Sequence, residues 1–359
     1  MNRRDLLRLA AAAPALAFGR ESNDPIYVTL TVGNLEERRL RYIRQIGVRH
    51  LRVVDTTIPG YDANGHLDAD SLRRVVRRLD EFGIRLASIY LNTRRNAGPL
   101  LLGRPGWEAE LDNVCRTIEA MGRAGVPMLN LNLLVSRAIV TNKLHQYSGY
   151  WLPGYYKDTE GRGRAQLQGF NEELANKVTE APAGAIPADE MWDRITRFQK
   201  RVVPVAAQAK VKLACHPDDP PIAKHWGVTQ VLNSREGLVR MVNIVPSEYN
   251  GVLLCLGTMF ESGADVLELI RYFGGRKLLF DIDFRAVKGK VPHYREVFLD
   301  EGDLNMRQAL VTLRSAGYRG SINPDHMPKI IDDPELQPAS TAWAVGYIKG
   351  LLDSTATAR

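Results

Sequence analysis

Short runs rich in Val, Ile and Leu recur along the chain, and each is followed by a longer stretch whose apolar residues return every three or four positions. The first kind of run reads as a buried strand and the second as an amphipathic helix. "IYVTLTVG" (26–33) precedes "NLEERRLRYIRQIG", "HLRVVDT" precedes "SLRRVVRRLDEFG", and "IRLASIYLN" precedes "WEAELDNVCRTIEAMGRAG". The alternation continues through "VPMLNLNLL", "VKLACHP", "GVLLCLG", "KLLFDIDFR" and "YRGSINPDH", each with a helix behind it. Three helices end in Gly with a strand directly after, in "FGIRL", "AGVPM" and "AGYRGS". Gly takes the left-handed position past a helix end without steric cost, so these are stop signals. Eight such strand–helix units, joined by right-handed crossovers, close into an α/β (β/α)8 TIM barrel. A doubly wound open sheet is the alternative, but no Gly-rich phosphate loop follows the first strand.

One connection breaks the rhythm. Between the fourth strand and its helix, residues 135–187 include "HQYSGYWLPGYYKDTEGRGRAQLQGF". A connection this long in a compact domain is either functional or disordered. Its aromatics favour a lid over the barrel mouth, with Tyr156 or Arg164 placed to close on a ligand. The barrel itself is expected to fill residues 24–353 as a single domain.

Composition changes this picture at the N-terminus. "MNRRDLLRLAAAAPALAFG" pairs Arg3 and Arg4 ahead of a mostly apolar run from Leu6 to Phe18, and Ala15-Leu16-Ala17 is a small-x-small cleavage site. The run is too short to span a bilayer, and the segment resembles a twin-arginine export signal over residues 1–17. A periplasmic or exported location follows from that reading, and a cytoplasmic one if the segment is only a helix. No other stretch suits a membrane span. The formal charge is +7, falling to +5 without the first 17 residues, and is spread without long basic runs. With no recognition motif beside it, the surplus points to a small anionic ligand and not to nucleic acid. Cys115, Cys215 and Cys255 make no disulfide framework. Nothing in the sequence specifies oligomeric state, and a homo-oligomer is compatible with it.

The candidate chemistry lies at the strand ends. "KLACHPDDPPIAKHWG" finishes a buried run with His216, sets Asp218 and Asp219 beside it, and stiffens the exit with Pro220 and Pro221. The next strands end in Cys255, in Asp281, Asp283 and Arg285, and in Asp325 and His326. Each has a plain structural role available: a satisfied rim histidine, a small buried thiol, loop-capping carboxylates. Barrel sites form where the C-terminal strand ends meet, and four consecutive strands here deliver imidazole, thiolate and carboxylates to one ring. That is a transition-metal donor set, with His216, Cys255, Asp283 and Asp325 as ligands. Cys215 points away from His216 toward the helices, and Asp281 lies deeper than Asp283 on the same face. Mn²⁺ or Fe²⁺ suits a site with open positions, and Zn²⁺ a tight tetrahedral one. His225 and Trp226 fall beyond the prolines, near the mouth.

"ACHPDDPP", "LLCLGTMFESGADVLELIRYFG", "FRAVKGKVPHYREVFLDEGDLNM", "INPDHMP" and "AVGYIKGLLDS" occur in the order in which similar motifs occur in the mannonate dehydratases, and residues 196–353 resemble that family most densely. The resemblance implies a TIM barrel using Mn²⁺ or Fe²⁺ to convert D-mannonate, a small-molecule sugar acid, to 2-keto-3-deoxy-D-gluconate in hexuronate breakdown. It implies His216, Cys255 and Asp325 as ligands. The third family ligand is the His of a His-Phe-Arg pattern, where this chain has Asp283-Phe284-Arg285. Such a dehydration removes the proton beside a carboxylate and expels the neighbouring hydroxyl, with a cation stabilising the enediolate. His326 is then a candidate acid or base, Arg285 a fork for the substrate carboxylate, and Asp218 or Asp219 an orienter of His216, a sugar ligand or a base. A metal-dependent isomerase or epimerase on the same barrel, and an exported sugar-acid-binding protein without catalysis, are the alternatives.

Overall fold

A computed structural model of the chain describes residues 24–91, 98–134, 152–178, 184–334 and 336–356. The expected export segment, 1–17, lies outside them, as do residues 135–151 and 179–183 of the expected lid. Strands β1 (Ile26–Val32), β2 (His50–Val54), β3 (Arg85–Tyr90), β4 (Met128–Asn132), β7 (Lys212–His216), β10 (Asn250–Cys255), β11 (Leu279–Phe284) and β14 (Gly320–Pro324) close into a parallel barrel, in the order β1-β14-β11-β10-β7-β4-β3-β2. This is the TIM barrel that the strand–helix alternation predicts.

Helices α1 (Glu37–Gln45), α2 (Ala69–Asp80), α3 (Trp107–Ala124), α4 (Ala188–Ala209), α5 (Arg235–Ile244), α6 (Val266–Gly275), α7 (Met306–Ser315) and α8 (Pro338–Thr355) accompany the strands. Local chemistry sets their ends. Asp68, Ser234, Asp265 and Asn305 each accept a backbone N–H at the start of α2, α5, α6 and α7, which satisfies donors that the first turn leaves open. Gly125 ends α3 at φ +75° in the left-handed region, as "AGVPM" predicts. Among the described residues, no helix is long and apolar enough to cross a membrane.

The barrel interior is layered. Met128, Ala214, Leu253 and Phe280 form a small apolar cluster apart from the main core. Above it Asn130, Asp281, Ser321 and Arg52 are linked by hydrogen bonds, and above these come His216, Cys255 and Asp283 at the C-terminal strand tips. Cys215 belongs to the main apolar core, opposite His216, as alternation along a strand requires.

A second sheet was not anticipated from the sequence. Strands β5 (Tyr155–Asp158) and β6 (Leu167–Asn171) pair antiparallel with the hairpin β12 (Ala286–Lys290) and β13 (His293–Val297), in the order β12-β13-β6-β5. Tyr155, Phe170 and Tyr294 pack beneath it, with Phe170 stacked on Tyr294 at 5.3 Å between centroids. Gln166 also exchanges two backbone hydrogen bonds with Lys329, just past β14. A two-residue ribbon, β8 (Lys224–His225) with β9 (Val228–Thr229), follows the double proline.

The start of α5 supports the loop after β7. Leu232 exchanges hydrogen bonds with Asp218, through its own N–H to Oδ2 and its carbonyl to the Asp218 N–H. A Cβ on Gly237 would stand 2.0 Å from the Val231 carbonyl oxygen, so only Gly allows this approach. Gly237→Ala is expected to destabilise the protein by about 1–3 kcal/mol through overpacking, read as a lower urea midpoint. Gly275→Ala, where nothing lies within 4 Å of the added carbon, is expected to leave the midpoint unchanged or raise it.

Candidate active site

The four strands that lead to the expected ligands, β7, β10, β11 and β14, are consecutive around the barrel. Cys255 on β10 is the register partner of Asp283 on β11, and Asp283 is the partner of Asn323, two residues before Asp325. A parallel ladder therefore brings these tips to one end of the barrel without help from the loops.

His216 is held by its own loop. Its Nδ1 lies 2.6 Å from the Pro217 carbonyl oxygen. A carbonyl only accepts, so the proton sits on Nδ1. Nε2 then faces Asp283 Oδ2 at 3.7 Å, too far for a hydrogen bond. The sequence suggested Asp218 or Asp219 as the orienter; the backbone carbonyl does it instead. Asp218 is turned to the Leu232 N–H, and burial raises its carboxyl to about 7 against the hydrogen bonds from Leu232 and Val231. Asp219 accepts from Tyr155 Oη at 2.7 Å and Thr258 Oγ1 at 3.3 Å, and faces Arg285 at 3.1 Å.

Arg285 is more enclosed than the sequence suggested. Its guanidinium is buried and meets Asp219, Glu261 and Glu296 at 3.1, 3.2 and 2.8 Å, and Thr258 Oγ1 at 2.6 Å. Its fork is thus engaged by three protein carboxylates. Gly257 permits the approach, since a Cβ there would lie 2.5 Å from Arg285 Nε. Burial alone would raise the Asp219 carboxyl; Arg285, His326, His216 and the Tyr155 hydrogen bond together reverse this and hold it well below the usual carboxylate range.

His326 receives its charge from the same cluster. Nδ1 lies 2.7 Å from Glu296 Oε1, the oxygen that also accepts from Arg285, and 2.9 Å from Arg285 Nη1, while Nε2 faces Asp325 Oδ2 at 3.7 Å. Desolvation favours the neutral imidazole, but Asp325 and Glu296 outweigh it and raise the group to about 9. Its backbone sits at φ +48°, uncommon for a residue with a side chain. One edge of His326 lines a cavity of about 380 Å³ bounded also by Lys157, Gln168, Glu296 and Lys329.

Whether the predicted ligands fit a metal is a question of donor chemistry. Imidazole nitrogen, thiol sulfur and two carboxylates surround a mouth where acids outnumber cations. Asp219, Glu261, Asp281, Asp283, Glu296 and Asp325 meet the guanidiniums of Arg52 and Arg285 and the imidazolium of His326. Burial raises the Asp283 carboxyl to about 6, with Arg52 opposing and Asp325 and Asp281 adding, and it also pushes up the Cys255 thiol. A divalent cation relieves such a surplus and favours the deprotonated donors, so the residues fit. Among the described residues, no three of these groups yet converge on one point.

Several contributors were missed. Arg52 is the one charge in the run "LRVV" of β2, and it reaches across the barrel to Asp283 and Asp281. A cation inside an apolar strand is the signal that would have found it. Glu261 and Glu296 carry no comparable mark. On β5 it is Tyr155, not Tyr156, that faces the site: Tyr156 packs over Gly169. Arg164 is exposed. His225 and Trp226 are buried, His225 Nε2 donating to the Pro153 carbonyl at 3.0 Å, so they anchor the segment before β5 and do not line a rim.

Polar strand tips gathered at one mouth of a closed parallel barrel are how this architecture builds catalysis, and the fold and site together define a (β/α)8-barrel enzyme. The chain belongs to the D-mannonate dehydratase (UxuA) family, whose model matches residues 32–359. It is similar to mannonate dehydratase 2 of Halalkalibacterium halodurans, 27% identical over 241 residues that cover 63% of this chain and 69% of that protein. It is likewise 27% identical over 284 residues to the mannonate dehydratase of Thermotoga maritima, covering 70% and 77%. The solved mannonate dehydratase of Streptococcus suis serotype 2 shares the fold, with TM-score 0.76, 19% identity, and 92% and 95% of the two chains covered. The family's enzymes are hydro-lyases and metal-dependent.

Arg285→Met is expected to cost about 3–5 kcal/mol in stability, the penalty for leaving buried carboxylates without their cation. In the native protein Asp219 has a depressed pKa, so its contribution is present above the ordinary carboxylate pKa and fades as pH falls below it. The difference between native and variant in urea titrations should therefore hold from pH 7 to about pH 4 and narrow only below that.

Proposed function

We propose that the chain dehydrates D-mannonate, or a sugar acid closely related to it, to 2-keto-3-deoxy-D-gluconate, using Mn²⁺ or Fe²⁺ held by His216, Cys255, Asp283 and Asp325. One observation carries the reading: His326, its ring held by Glu296, lines a cavity of about 380 Å³ and faces Asp325 of the ligand set at 3.7 Å. When bound, the metal supplies Lewis acidity, stabilising charge that develops on substrate oxygens.

The chain's own residues supply the rest. Loss of water from a 2,3-dihydroxy acid breaks the C2–H and C3–O bonds, and the departing hydroxyl leaves as water only if a proton reaches its oxygen. His326 can carry that proton on Nε2, since Nδ1 is taken up by Glu296 and Arg285. Glu296 fixes the ring's direction through an oxygen that Arg285 and Gln168 also hold. Lys157, Gln168 and Lys329 line the cavity with groups suited to hydroxyls and a negative charge. Tyr155, donating to Asp219, ties the segment before β6 to the loop that carries His216 and so helps to exclude water above the mouth.

The test is an anaerobic assay of the full chain with D-mannonate and added Mn²⁺ or Fe²⁺. A product lighter than substrate by one water, with the reactivity of a 2-keto-3-deoxy acid, is the expected outcome. Cys255→Ala should lose both metal and turnover. His326→Gln should retain metal while kcat falls about 10²–10⁴-fold, the usual contribution of a general acid. A product of unchanged mass would support isomerisation or epimerisation instead, and tight metal-independent binding without turnover would support a binding protein.

A further inference from the structure

Arg52 is 2% exposed, and β2 and β11 are not neighbours in the barrel, so its side chain crosses the interior to reach its partners. Nη2 donates to Asp281 Oδ2 and Nη1 to Asp283 Oδ1, both at 2.8 Å. The two carboxylates receive it differently. Asp281 is saturated: Oδ2 also accepts from Asn130 at 2.8 Å, and Oδ1 accepts from Ser321 Oγ at 2.6 Å and from the Ile282 N–H at 2.9 Å. It is a fixed anion that aims the guanidinium. Asp283 commits only Oδ1, to Arg52 and to Asn323 Nδ2 at 3.0 Å, and turns Oδ2 toward His216.

We infer that Arg52 is a positioning residue for the metal centre: together with Asn323 it holds Asp283 by one oxygen, so that only Oδ2 is left to face the ion. The inference rests on the metal-dependent reading above. A carboxylate clamped on one oxygen cannot swing to bind an ion through both, and its direction is set before the ion arrives.

The measurement is the Mn²⁺ dissociation constant of the full chain by chelator competition, with the melting temperature of the metal-free protein recorded alongside. Arg52→Met with Asp281→Asn removes the clamp together with one charge of each sign, so the net charge of the interior is unchanged, which guards against simple failure to fold. It should weaken Mn²⁺ binding by about tenfold or more, in the range seen when a group that orients a ligand is lost. Native-like affinity after loss of Arg52 overturns the inference while leaving the metal reading intact. A native chain that binds no Mn²⁺ overturns both.

Discussion

A single guanidinium holds together segments that the barrel itself does not connect. Arg285 leaves the tip of β11 and meets Asp219 from the loop after β7, Glu261 from the short helix after β10, and Glu296 from the hairpin that pairs with the accessory sheet. Each carboxylate is buried, and burial raises the Glu261 carboxyl even beside the guanidinium while Asp219 is held low. Their common cation makes the cluster tolerable, and the cluster fixes where Tyr155, Thr258 and His326 point. Such an arrangement is a poor source of net stability, because desolvation of the charges cancels most of their attraction. Its effect is geometric: only one packing of the four segments satisfies every charge.

The barrel was legible because its signals are local and repeated. Alternating strands, amphipathic helices and Gly stops each report on a few residues, and together they define the eight units and the end at which β7, β10, β11 and β14 deliver His216, Cys255, Asp283 and Asp325. The accessory sheet was not legible for the opposite reason. β13 pairs with β6 across more than a hundred residues of sequence, Glu296 with Gln168 for example, and no pattern within "AVKGKVPHYREV" announces its partner. Side-chain roles were less legible still. Arg285 was placed on the mouth with its fork open, because a sequence shows a cation without the acids that will surround it. The Pro217 carbonyl that orients His216 is invisible to any reading of side-chain types, since it belongs to the backbone.

Charge inside the barrel is organised in two tiers that share a logic. In the lower tier Arg52 meets Asp281 and Asp283 from across the interior; in the upper tier Arg285 meets Asp219, Glu261 and Glu296. The apolar cluster of Met128, Ala214, Leu253 and Phe280 closes the barrel below, so water has no short route to the lower pair from that end. Low polarity around these groups strengthens each interaction and makes any mismatch costly. Asp283 and Asp281 thus share one counter-charge, carried by a strand on the far side.

Glu296 lies on β13, within the antiparallel sheet that also contains β5 and β6, and a backbone bridge from Gln166 to Lys329 joins that sheet to the loop bearing Asp325 and His326. The wall of the cavity and the carboxylate that fixes the His326 ring are therefore one mechanical piece. A wall reshaped for a longer or bulkier guest would carry the imidazole with it, so the two alterations should be inherited as a single event.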